Sequence, residues 1–222
     1  MRKSLASGLL LAGVLVSGAA SAAPWTWSGT LADWGAAGSG TGVITDGDGD
    51  VSFTLFNTTT IPDGVNGYVT ISEIEIGGAD YYDVGVSWDA STGFPGGYAG
   101  GGQLVYAMDV LAPSTERIVA AALDSAITGT GTTAQAVLRD LPANTLITNL
   151  ASFDGAHDPV TGYAGFSGRS SVGVQQLWQP SQTGVFQDTH ASFVVANVPE
   201  PSQWGLVGLA LAALVFTRRR AG

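Results

Sequence analysis

Asp46-Gly47-Asp48-Gly49-Asp50 is the run in the 222-residue chain whose side-chain types and spacing come closest to chemistry. Carboxylates two residues apart converge if their loop curls around a hard cation, and Ca²⁺ takes such oxygens. The EF-hand pattern needs Gly at its sixth position and Glu at its twelfth, where this chain has Val51 and Asn57. The same residues also make an ordinary Asp/Gly turn feeding a strand that starts at Val51. Calcium loop and plain turn both stand as readings of Asp46, Asp48 and Asp50. The expected set of resident metals and cofactors is none.

Catalytic constellations are thinner still. His157 and His190 are the only histidines, and Cys is absent, which excludes a thiol nucleophile and a Cys-based metal site. Gly165-Phe166-Ser167-Gly168 is one residue short of a Gly-x-Ser-x-Gly elbow. Glu73, Glu75 and Glu116 are the glutamates between the two chain ends. A glycosidase needs two carboxylates across a cleft, whereas Glu73 and Glu75 read as acidic surface on one strand face. Gly38-Ser39-Gly40-Thr41-Gly42 lacks a following Lys and reads as a flexible connector rather than a phosphate loop. No catalytic residue is expected. For binding, Trp25, Trp27, Trp34, Trp88, Trp178, Tyr68, Tyr81, Tyr82, Tyr98 and Tyr163 could stack on sugar rings, although most should be core. Thr58-Thr59-Thr60 and Thr128, Thr130, Thr132 and Thr133 lack the regular period an ice-binding face requires.

The elements that must position these residues read as strands. Val51 to Leu55, Tyr82/Val84/Val86/Trp88, Leu104/Tyr106/Met108 and Ala191/Phe193/Val195 all alternate apolar with polar. Val69 and Ile71, then Ile74 and Ile76, predict a long strand or a hairpin with a bend. Period two rich in Val, Thr and aromatics means half-buried antiparallel strands. Pro62-Asp63-Gly64, Gly77-Gly78, Pro95-Gly96-Gly97, Gly100 to Gly102 and Gly129-Thr130-Gly131 punctuate them. Ile118 to Ile127 is assigned to a strand despite its Ala run. No long stretch has helical periodicity and no repeat appears. The expected fold class is all-β, an antiparallel β-sandwich of about eight to eleven strands over residues 23–198.

Charge narrows the partners. All but one of the 18 acidic residues lie in residues 23–198, against Arg117, Arg139 and Arg169 as the only cations there. Such a body repels phosphates and anionic lipid, so nucleic-acid binding is not expected. The remaining basic residues sit at the ends. Arg2 and Lys3 precede an apolar stretch from Leu5 to Val16, and Ala20-Ser21-Ala22 supplies a small-x-small cleavage site. Residues 1–22 read as a signal peptide cut after Ala22.

At the other end, Pro199-Glu200-Pro201 precedes an apolar run from Trp204 to Thr217, then Arg218-Arg219-Arg220. As a helix the run spans about 21 Å, short of a hydrocarbon core of about 30 Å. Arg218, Arg219 and Arg220 orient it with the body outside the cytoplasm. The prolines hold the motif extended, as a protease prefers.

Motif, apolar helix and Arg cluster together resemble the PEP-CTERM sorting signal of Gram-negative bacteria, whose tail is also labelled an ice-binding-protein C-terminal domain. The resemblance implies recognition of residues 199–222 by an exosortase after general secretion, with transient inner-membrane anchoring before arrival at the cell surface or outside. Asp46 to Phe56, Tyr81 to Trp88 and Ala121 to Leu138 are similar to the β-sandwich ectodomains often found ahead of such tails. The expectation is a non-enzymatic exported component of the envelope or extracellular matrix, associated with biofilm or exopolysaccharide. A carbohydrate-binding module using exposed aromatics is the alternative, ahead of a secreted hydrolase or an ice-binding protein.

Overall fold

Period-two alternation over most of the chain builds two stacked sheets in the computed structural model, which describes residues 24–57, 67–88, 93–153 and 162–198. Expectations that fall on other residues lie outside this description. They concern Ala20 and Ala22, Thr58 to Thr60, Pro62-Asp63-Gly64, His157, Pro199, Glu200, Pro201, the 204–217 run and Arg218, Arg219 and Arg220. No helix among the described residues is long and apolar enough to cross a membrane.

In chain order the elements are β1 (Trp25–Thr30), α1 (Leu31–Gly40), β2 (Val43–Thr45), β3 (Val51–Asn57), β4 (Tyr68–Ile76), β5 (Ala79–Ser87) and β6 (Gly102–Val110). They continue with β7 (Glu116–Thr128), β8 (Thr133–Asp140), β9 (Thr145–Phe153), β10 (Ala164–Arg169), β11 (Ser171–Gln179) and β12 (Val185–Asn197). One sheet runs β1-β4-β5-β12-β7-β10 and the other β2-β3-β6-β11-β8-β9, with every pairing antiparallel. Twelve strands among the described residues exceed the eight to eleven expected. Short members such as the three-residue β2 carry too little alternation to announce themselves.

The alternating positions face inward as their pattern requires. Tyr82, Val84, Val86 and Trp88 meet Leu104, Tyr106, Met108, Phe193 and Val195 in one core, each at most 1% exposed. Ile118 to Ile127 lies within β7, so the Ala run is a strand. β4 is one unbroken strand that closes on β5 through Gly77 and Gly78 at φ 66° and 82°, a two-residue turn of the twist-matching kind.

Helix α1 was not expected, because its helical backbone stops before Ala37 and shows under two turns of periodicity. A capping box starts it: Thr30 Oγ1 accepts from the Asp33 N–H at 3.1 Å, and Asp33 accepts from the Thr30 N–H at 2.8 Å. The helix buries Trp34 against Tyr106, 5.4 Å between rings. The Gly38 to Gly42 stretch is a defined turn, with the Gly42 N–H on the Ala37 carbonyl at 3.0 Å.

A buried polar network pins the layers in register. Gln176 donates to the Tyr106 hydroxyl at 3.1 Å, and Trp178 donates to Thr189 Oγ1 of the facing sheet at 3.1 Å. Thr189 in turn donates to Gln176 at 3.5 Å. Groups bonded in this way avoid the burial penalty of unpaired ones.

Candidate functional site

Asp46 follows β2 directly and shapes the loop that returns the chain as β3. Its Oδ1 accepts from the N–H groups of Gly49 and Asp50 at 2.9 and 3.1 Å. Its Oδ2 accepts from the Val51 N–H at 3.1 Å and from the Tyr82 hydroxyl at 2.8 Å. Four donors occupy the acceptor sites of one carboxylate, which lets an Asp only 7% exposed remain there. Tyr82 belongs to the opposite sheet, so this bond ties loop to layer. Burial, then Asp46, drives its hydroxyl far above the usual tyrosine range, keeping it a donor.

The loop draws Asp48 and Asp50 to Asp46, with a ligand oxygen from each within 4.8 Å of the others. Asp50 Oδ1 is shut off from solvent and no hydrogen-bond donor among the described residues reaches it. Burial, then Asp46 and Asp48, pushes the Asp50 carboxyl up to about 8.

Glu73 is the correction the structure makes to the sequence reading. It is not surface acid: it faces inward, 4% exposed, between its register partners Trp25 and Tyr82. No hydrogen bond from the described residues holds its carboxylate, and burial followed by Asp46 and Asp48 pushes it up to about 7. The signal was available, since Glu73 continues the phase of Val69 and Ile71, whereas Ile74 and Ile76 are out of phase and exposed.

Further out, Asp48, Asp50, Glu75, Asp80, Glu116 and Asn197 line an open cleft of about 680 Å³. Burial, then Glu116, raises Asp80 to about 6, and burial raises Glu116 as well. No cation relieves this end among the described residues. Arg169 lies 3.4 Å from Asp140, and Arg139 and Arg117 donate to the carbonyls of Asn144 and Glu116.

The one described histidine, His190 of β12, stands on the outer face of the β1-β4-β5-β12-β7-β10 sheet. His190 Nδ1 lies 2.7 Å from Asp83 Oδ2, and Ser192 donates to Asp83 Oδ1 at 2.8 Å. Asp188 is 3.9 Å from Nε2. Ser192 thus addresses the Asp and not the imidazole, whereas nucleophilic catalysis needs the hydroxyl on the base. The hydrogen bond to Asp83 raises the His190 pKa above its ordinary value, with burial opposing. Gly85 makes room for this ring, because a Cβ there would sit 2.7 Å from its Cε1. Gly85→Ala is therefore expected to lift the imidazole off Asp83 and bring its pKa back toward about 6.5. An NMR titration of the histidine signals reads this, and an unchanged His190 midpoint would contradict it.

Other predicted residues disperse. Gly165 to Gly168 lies in extended strand β10, not in an elbow. Thr132 is buried and hydrogen-bonded to Ser181 at 3.0 Å, so the Thr128 to Thr133 cluster does not share an exposed face. Trp34, Trp88, Trp178, Tyr82 and Tyr98 are consumed by the core, and Trp25 and Trp27 pack partly buried against it. Tyr68 and Tyr163 stay exposed, the latter edge-on to Tyr81 at 5.9 Å.

Strand β12 finishes at Asn197 on the rim of the acidic cleft. From there, residues 197–220 match the family model of the PEP-CTERM protein-sorting motif. The chain carries a PEP-CTERM sorting signal. No curated protein matches the chain. The PEP-CTERM motif supports export by exosortase sorting to the cell envelope or surface. It covers the tail alone, so the sandwich must be read from its own residues.

Proposed function

We infer that this is a non-enzymatic exported protein whose acidic β-sandwich serves as a structural component of the cell surface or matrix. General secretion delivers it, the PEP-CTERM tail holds it transiently at the inner membrane, and exosortase removes that tail. The observation that carries the reading is the PEP-CTERM motif following directly on a sandwich in which several polar side chains are spent on structure. Tyr82 anchors a loop, Gln176 and Thr189 tie two layers, and Asp83 holds both His190 and Ser192.

Mass spectrometry of the protein recovered from its producing cells tests the itinerary. The expected product lacks the PEP-CTERM tail and is found in the surface or matrix fraction. Replacing Pro199, Glu200 and Pro201 by alanine is expected to retain the tail and leave the chain in the inner membrane. Wild-type protein that keeps residues 199–222 would overturn the reading.

Carbohydrate binding is a second reading, favoured by the Tyr81–Tyr163 pair near Asp83 and His190 on an exposed sheet face. Retention of the chain on the cells' exopolysaccharide, lost in Tyr163→Ala, would select it.

A further inference from the structure

We propose that a pocket on the outer face of the β2-β3-β6-β11-β8-β9 sheet binds a small carboxylate carried on an apolar ring, a ligand of the aromatic-acid class. Tyr106, Val174 and Leu138 point into the core, each at most 1% exposed. Their strand neighbours Val105, Gly173, Gln175, Val137 and Arg139 therefore face outward. Val105 and Val137 flank Gln175 in register, and Gly173 pairs with Arg139 one row along. Phe56 and Leu141 stand at the sides, and together these residues enclose a cavity of about 150 Å³.

Two departures from regular sheet build the pocket. The β3–β6 register slips between Leu55 and Asn57, which leaves Phe56 as the extra residue of a bulge, 59% exposed. Bulges re-aim side chains in this way beside binding sites. Across the pocket, Gly173 interrupts the middle of β11. A Cβ there would stand 3.3 Å from Leu141 Cδ1, so the missing side chain lets Leu141 fold down as a wall. Glycine inside a strand weakens it and often marks a close approach by another group or a ligand.

Size and charge select the occupant. An apolar cavity of about 150 Å³ holds one benzene ring. Arg139 lines this one, and no carboxylate among the described residues pairs with it, whereas Arg169 is taken by Asp140. Arg139 Nη1 donates to the Asn144 carbonyl at 3.2 Å, which braces the guanidinium and leaves its other nitrogens for a forked contact with a carboxylate. Gln175 donates to Gln103, so the walls present few polar groups for a ring bearing many hydroxyls. The acidic body repels anions only over short range at physiological salt, where screening acts within about 8 Å. This site is on the opposite layer from the Tyr81–Tyr163 pair and is independent of the sorting tail.

The test is an NMR titration of the full chain in about 0.15 M salt, with sodium benzoate as the probe. The amide signals of Val105, Val137 and Gly173 are expected to shift together and saturate, with a dissociation constant of about 10⁻⁴–10⁻³ M for so small a ligand. Benzyl alcohol keeps the ring without the charge, and acetate keeps the charge without the ring. Each should bind at least about tenfold more weakly. Arg139→Gln, at an exposed position that folding tolerates, should cost benzoate the same factor. Gly173→Val pushes Leu141 into the space and should abolish the shifts, while valine suits a strand and keeps the melting midpoint. Shifts that never saturate or that scatter over the surface overturn the proposal. So does tighter binding of glucuronate than of benzoate, since it would make the face a sugar platform. Unchanged benzoate affinity in Arg139→Gln overturns it as well.

Discussion

Replacing Trp88 by alanine is expected to cost about 3–5 kcal/mol, the range for deleting a buried tryptophan. The indole is 1% exposed and sits at the centre of an aromatic group. Trp178 meets it edge-on at 4.9 Å, Tyr98 stacks on it at 5.4 Å, and Phe186 tilts against it at 6.4 Å. These rings come from β11, β12 and the segment before β6, so the cavity would loosen both sheets. For a chain of this size the loss lowers the melting midpoint by roughly 10 °C. Urea unfolding checks the free energy, and a loss below about 1 kcal/mol would mean that the aromatic group collapses into the space. The two tryptophans should part company on conversion to phenylalanine. Trp88 Nε1 is buried without a partner among the described residues, whereas Trp178 Nε1 donates to Thr189. Trp88→Phe removes an orphan donor and Trp178→Phe strands Thr189 and Gln176, so the second change is expected to cost more.

Trp88 also shows how much was legible beforehand. Its place in the Tyr82/Val84/Val86/Trp88 phase assigns it to the core, because strand period fixes the face of every residue. The same rule holds for Leu104, Tyr106 and Met108. It was set aside at Glu73, where side-chain type suggested surface while the phase of Val69 and Ile71 pointed inward. Phase won because β4 is continuous through position 73. The Asp46 loop was legible as a run, but its neighbours were not. Glu73, Tyr82, Asp80 and Glu116 are far off in sequence and meet only because sheet pairing and layer stacking bring strand ends together. Helix α1 escaped for the opposite reason: its signal is a cap at Thr30 and Asp33, not a periodicity. His190 read as a strand residue, and its Asp83 partner depends on β5–β12 register that no local pattern encodes.

The folded chain is expected to lose stability steadily from about pH 5 to about pH 8. Glu73, Asp80 and Asp50 hold protons up to about 7, 6 and 8 in the fold, because burial and neighbouring carboxylates disfavour their charge. In the unfolded chain they ionise near the ordinary value of about 4. Between those limits the folded state binds more protons than the unfolded state, so stability falls as pH rises. His190 acts in the same direction. Its folded pKa is raised, so its contribution is complete below the ordinary value and disappears as pH climbs through the raised one. Asp33 opposes at the acid extreme, since its hydrogen bonds with Thr30 lower its pKa and that support is lost on acidification. Melting midpoints across the range should therefore peak on the acid side of neutrality and then drop by roughly 5 °C. Glu73→Gln is expected to shallow the descent, because the amide has no proton to lose. A midpoint that stays level or rises toward pH 8 would mean that these acids are solvated and ionised in the fold, and that the acidic end is an ordinary surface.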